Sequence, residues 1–116
     1  RLALARLLFD RGDRHVTAEQ LHVEAESSRI RLSLATVYNT LHHFTALGML
    51  REVIVESGRS YFDTNISEHH HFFFEDSGEL SDIPGDEVDV ARLPVAPRGT
   101  RVSRVDVIIR VKSEQN

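Results

Sequence analysis

Leu2, Leu4, Ala5, Leu8 and Phe9 recur at helical spacing, and the pattern stops at Gly12. This predicts a truncated first helix over residues 1–10. Thr17-Ala18-Glu19-Gln20 reads as a capping box, in which the Thr17 hydroxyl accepts an early helical amide while Gln20 reaches back to the cap. Val16 and Leu21 are spaced as the accompanying hydrophobic staple, so a second helix follows Thr17 and runs to about Ser27. Ser33 is a second cap with Leu32 and Val37 at staple spacing, and Leu34, Val37, Leu41 and Phe44 repeat every three or four residues. Gly48 is placed to end this third helix, predicted over 34–47. Its opposite face carries Thr36, Asn39, Thr40 and His43, with Tyr38 on the flank: polar, uncharged and able to hydrogen-bond.

The remaining pattern is that of strands. Met49–Glu56 and Arg59–Asp63 are rich in Val, Ile, Tyr and Phe around Ser57-Gly58, a short hairpin. Three helices followed by such a hairpin make a winged helix-turn-helix, whose last helix enters the major groove while the hairpin lies along the backbone or minor groove. The alternative is an ordinary small helical domain. Residues 70–75 and 79–83 flank a turn at Asp76-Ser77-Gly78. Pro84-Gly85, Pro94 and Pro97-Arg98-Gly99 break the next stretch into a loop with at most one short helix or strand. Val105, Val107, Ile109 and Val111 alternate with Arg104, Asp106, Arg110 and Lys112, predicting a half-buried strand. Ile108 interrupts its polar side and would face a partner subunit.

Composition narrows the class. A chain of 116 residues fits one compact domain or two small ones, and a core of that size calls for a partner subunit or a metal. The 41% apolar fraction excludes a disordered chain, and no apolar run approaches the roughly 20 residues of a membrane helix, so a soluble protein is expected. The absence of cysteine rules out disulfides and thiolate metal sites and fits a reducing compartment, the cytoplasm. The first residue is arginine, so any N-terminal arm or targeting segment is expected to lie outside this sequence. A net charge of −4 argues mildly against nucleic acid, but the halves differ. Residues 1–62 hold 8 Arg against 7 acidic residues, whereas residues 63–116 hold 6 basic against 11 acidic ones. DNA would therefore meet the first half, and cations the second.

His69-His70-His71 running into Phe72-Phe73-Phe74 is the strongest chemical signal. Neutral imidazole suits Fe, Zn, Cu and Ni. In an extended segment His69 and His71 point to one side while Glu68 and His70 point to the other, so one tripeptide can feed two sites. A solvated histidine-rich loop is the competing reading. Two histidines and a carboxylate would also suit a non-haem iron hydrolase or dioxygenase, and a haem or metal storage module without DNA contact is a further alternative.

Leu34-Ala35-Thr36-Val37-Tyr38-Asn39-Thr40-Leu41, a hairpin ending Tyr61-Phe62-Asp63, and a histidine cluster entering a β domain together resemble the ferric uptake regulator family, over nearly the whole chain. The resemblance implies an α+β fold: an N-terminal winged helix-turn-helix over 1–63 and a small α/β dimerisation and sensing domain over 64–116. It implies a homodimeric transcription factor, not an enzyme, that binds double-stranded DNA and senses a transition metal such as iron, manganese or zinc. Carried over by position, its regulatory site between the domains would take His15, Asp63, His69, His71 and Asp82. A second site would take Glu68, His70 and Asp89, although its usual distal histidine has no counterpart near Val105. Phe74 and Ser77 stand where many relatives place zinc-binding cysteines, so that structural zinc is not expected.

A cysteine-free chain with three contiguous histidines is most similar to the iron response regulator (Irr) branch, which responds to haem or haem-delivered iron. His69, His70 and His71 are thus also candidate haem ligands, although the Cys-Pro haem motif of some members is missing. DNA contacts are expected from Tyr38 on thymine methyls, and from Thr36 and Asn39 on base edges or phosphates. Arg29, Arg31, Arg51 and Arg59 would meet phosphate; solvated surface charge is the alternative for each.

Overall fold

The computed structural model describes residues 1–56 and 58–114. The chain divides into two compact units, Arg1–Ser67 and Glu68–Asn116. The first is built from helix α1 (Leu2–Phe9), strand β1 (His15–Val16), helices α2 (Ala18–Ser27) and α3 (Leu34–Ala46), and strands β2 (Arg51–Glu56) and β3 (Arg59–Asp63).

Local chemistry sets the helix ends. Both halves of the capping box form: the Gln20 amide donates to Thr17 Oγ1 at 3.1 Å, and the Thr17 amide donates to Gln20 Oε1 at 2.9 Å. Ser33 Oγ likewise accepts the Thr36 amide at 3.1 Å. Helix α3 closes through Gly48, whose φ of 78° lets the Met49 amide donate back to the Phe44 carbonyl at 3.0 Å. Helix α2 ends the same way without a glycine. Arg29 takes the left-handed position at φ 60°, and the Ile30 amide reaches the Ala25 carbonyl at 2.8 Å. Packing then covers the apolar stripes: Leu4, Leu8, Val16, Leu21, Val37, Leu41 and Phe62 form one buried cluster. The three strands pair antiparallel in the order β1-β3-β2. Gly58 at φ 72° supports the expected hairpin turn, whereas Ser57 lies outside the described residues.

The second unit is a three-stranded sheet of order β5-β4-β6, made by β4 (His69–Phe74), β5 (Leu80–Pro84) and β6 (Ile108–Val111). Strands β4 and β5 run antiparallel, and β6 joins β4 in parallel. The Asp76-Ser77-Gly78 turn closes with the Gly78 amide on the Phe74 carbonyl at 2.7 Å. Phe73, Leu80 and Ile83 are its buried apolar side chains. Past a single 3-10 turn at Gly85–Glu87, residues 88–107 carry no helix or strand. Among the described residues, no helix is long and apolar enough to cross a membrane.

Three expectations need correction. Thr40 is buried, not on the open face of α3, because its hydroxyl donates to the Thr36 carbonyl at 2.9 Å and leaves its methyl to the interior. The last strand covers only the four residues Ile108–Val111, not the whole alternating stretch from Arg104 to Lys112. The His70 ring explains where it starts: His70 Nδ1 accepts the Val107 amide at 3.1 Å, a bond a backbone carbonyl would make in a continued ladder. Ile109, expected on the core side, is exposed, whereas Ile108 is half-buried; β6 is an edge strand with a neighbour on one side only.

Candidate metal centre

Strand β4 alternates as its sequence predicts. His69, His71 and Phe73 are buried, and His70 and Phe72 are half-buried. Asp82 on β5 stands opposite His71 in the ladder and diagonal to His69. The two imidazoles meet edge to face with ring centres 4.6 Å apart. Asp82 Oδ1 lies 3.4 Å from His71 Nε2 and 3.5 Å from His69 Nε2. These separations exceed the roughly 2.9 Å of a good hydrogen bond. They match the ~3.3 Å between two ligands that share a tetrahedral ion at zinc-like bond lengths. His69, His71 and Asp82 each offer a ligand atom within 4.8 Å of the others. Two neutral imidazoles and a carboxylate form a donor set that iron, manganese and zinc accept, so these residues fit a transition-metal ion. The imidazoles are shielded, while the Asp82 side chain is 43% exposed, leaving one side accessible.

The other two expected ligands are ladder partners in the first unit. His15 on β1 pairs with Asp63 on β3, so both side chains leave the sheet on one face. The His15 ring stands edge-on to Tyr61, with centres 6.0 Å apart. Asp63 is buried and accepts the Asn65 amide at 2.9 Å. The second set is not gathered. Glu68 and Asp89 are exposed, His70 spends Nδ1 on Val107, and among the described residues these three form no metal-sized group.

The polar stripe of α3 is open where the DNA contacts were expected. Thr36 and Asn39 are exposed, while Tyr38 is half-buried against the helical core. Tyr38 Oη donates to Glu19 Oε1 at 2.6 Å, holding the Glu19 carboxyl below the ordinary carboxylate range and the Tyr38 phenol above its usual one. Helical periodicity placed Tyr38 but gave no signal of its partner on another helix. Arg29, Arg31 and Arg59 are exposed. Arg51 is half-buried and donates to the Ser67 carbonyl at 3.2 Å, which draws it toward the chain's own backbone.

The ferric uptake regulator family model matches residues 1–110. The chain belongs to that family. Members of the ferric uptake regulator family are transcription regulators, not enzymes. Among curated proteins, the chain is 28% identical over 99 residues to the ferric uptake regulation protein of Klebsiella pneumoniae, covering 84% of this chain and 64% of that protein. It is 36% identical over 78 residues to the peroxide operon regulator of Bacillus subtilis, covering 65% of this chain and 54% of the relative. The chain thus spans less than two thirds of the length of either relative. The iron-containing structure of the ferric uptake regulator from Francisella tularensis superposes with a TM-score of 0.77 at 17% identity, over 97% of this chain and 87% of that one. The α+β fold is therefore that of ferric uptake regulators.

Proposed function

We propose that this chain is a cytoplasmic, metal-responsive transcription regulator that binds operator DNA as a homodimer. The observation that carries the reading is the His69–His71–Asp82 set, whose nitrogen-to-oxygen separations of 3.4 and 3.5 Å suit a shared ion. His15 and Asp63, ladder partners in the first unit, stand at the positions matching the family's other regulatory ligands. Asp63 is a carboxylate 1% exposed that accepts the Asn65 amide. A bound ion would supply Lewis-acid cross-linking of imidazole and carboxylate donors; His69, His71 and Asp82 supply a preformed seat on two adjacent strands. An ion at this seat would shift the regulator between DNA-binding states only by its different affinity for the two.

The helical unit acts as a winged helix-turn-helix. Helix α3 enters the major groove, with Thr36 and Asn39 toward base edges and the Tyr38 ring toward thymine methyls. Arg29, Arg31 and Arg59 meet phosphates; Arg51, tied to Ser67, is not among them. The small interior of the Glu68–Asn116 unit supports dimerisation. Phe74, Val95, Val102 and Ile109 remain exposed there, apolar surface suited to burial against a second copy.

The finer assignment is to the Irr branch, supported by the cysteine-free chain and its three contiguous histidines. In this reading haem competes with metal for the His69–His71 imidazoles, and haem or iron sufficiency releases DNA. A mobility-shift assay on AT-rich inverted repeats, with metal-loaded and chelated protein, tests the function. We expect a shift that differs between the two states, and a loss of about tenfold in affinity for Asn39→Ala, the scale of one base contact. A wild-type chain that shifts no such duplex in either state would overturn the reading.

A further inference from the structure

We infer that Glu19 is a positioning residue for base reading: it holds the Tyr38 ring in one pose, so that Tyr38 meets DNA as a rigid apolar face. The inference rests on the DNA-binding reading above. An acid in the first turn of α2, beside the face proposed to meet phosphate, weakens binding by repulsion unless it does something in return. Its place in the structure shows what that is. Tyr38 belongs to α3, and its ring packs on the buried cluster of the helical unit, which fixes the near end of the side chain. The far end is fixed by the 2.6 Å bond from Oη to Glu19 Oε1.

A phenol has one hydroxyl proton, and here it is spent on Glu19. Toward DNA the Tyr38 hydroxyl can therefore only accept, and discrimination falls to the ring and what it packs against. The thymine methyl is the base feature that such a ring reads. Glu19 is kept in the form that can accept this bond. The Tyr38 hydroxyl lowers its pKa most, its own backbone hydrogen bond adds to this, and the positive charge of Arg59 on the hairpin acts in the same direction. Thr17, Glu19, Gln20, Tyr38, Arg59 and Ser60 line one shared cleft, so the start of α2, the middle of α3 and the hairpin converge on this contact. A ring already ordered before binding avoids the cost of immobilising it in the complex, about three- to tenfold in affinity for one side chain.

The test uses the full chain and an AT-rich inverted-repeat duplex selected from a random pool, compared with the same duplex carrying uracil for thymine. Glu19→Ala should lower the thymine-over-uracil preference about three- to tenfold. Glu19→Gln, which keeps an acceptor and removes the charge, should retain the preference and bind both duplexes more tightly. In a Tyr38→Phe background Glu19→Ala should leave the preference unchanged, since the hydroxyl through which it acts is gone. Alkaline titration of tyrosine absorbance reads the contact without DNA: the transition missing from Tyr38→Phe should move toward the ordinary range in Glu19→Ala. Wild-type protein that binds the duplex while Glu19→Ala leaves both the preference and the titration unmoved would overturn this inference alone. Failure of the wild-type chain to bind any duplex would overturn the DNA reading with it.

Discussion

Asp82 stands directly across the sheet from His71, and its Oδ1 lies 3.4 Å from His71 Nε2 and 3.5 Å from His69 Nε2. One carboxylate oxygen is thus shared between two buried imidazoles. A strand register alone produces this arrangement, because residues opposite and diagonal on one face of an antiparallel pair are neighbours.

Replacing Asp82 with Asn keeps the side-chain shape and removes its charge. Transition-metal affinity should fall by about ten- to hundredfold, the scale on which even orienting partners of metal-bound histidines act. Competition titration against a chelator of known affinity measures it, and circular dichroism should show the same secondary structure as wild type.

The Tyr38–Glu19 contact gives a defined pH window. Glu19 has its pKa lowered from 4.5, first by the Tyr38 hydroxyl, so its contribution to stability is present above pH 4.5 and is lost as pH falls through the lowered value. Tyr38 has its pKa raised from 10.0, first by Glu19, so its contribution is present below pH 10.0 and is lost as pH rises through the raised value. The stability difference between wild type and Tyr38→Phe in urea unfolding should therefore be largest between those limits and vanish at either extreme.

Thr17→Ala removes the hydroxyl that accepts the Gln20 amide. The expected cost is about 1 kcal/mol, the usual value of an N-cap. For a unit of this size that corresponds to a fall of roughly 4–8 °C in Tm, measurable by thermal unfolding.

How much of this was legible in the chain depended on the range of the interaction that decides it. Thr17 and Gln20 satisfy each other three residues apart, so the start of α2 could be read directly, as could the Ser33 cap. The facing of His69 and His71 needed only the two-residue period of a strand. Strand β1 could not be read: two residues carry no period, and His15–Val16 is a strand only because β3 pairs with it from some 46 positions away. The early limit of β6 was hidden for a similar reason, since the His70 ring that takes the Val107 amide lies 37 residues upstream. Thr40 looked like part of a polar face because its hydroxyl was counted as open, whereas a threonine can return that hydroxyl to its own helix four residues back. Resemblance to the family placed His15, Asp63 and Asp82 among the expected ligands; periodicity alone singled out none of them.

His69 and His71 are proposed as the heart of a metal seat. Its most direct measurement is metal titration of the chelator-stripped chain, with zinc and manganese, beside the His69→Ala/His71→Ala double variant. One tightly held ion per wild-type chain is expected, with an affinity lower by about a hundredfold or more in the double variant. Equal stoichiometry and affinity in the two proteins would contradict it.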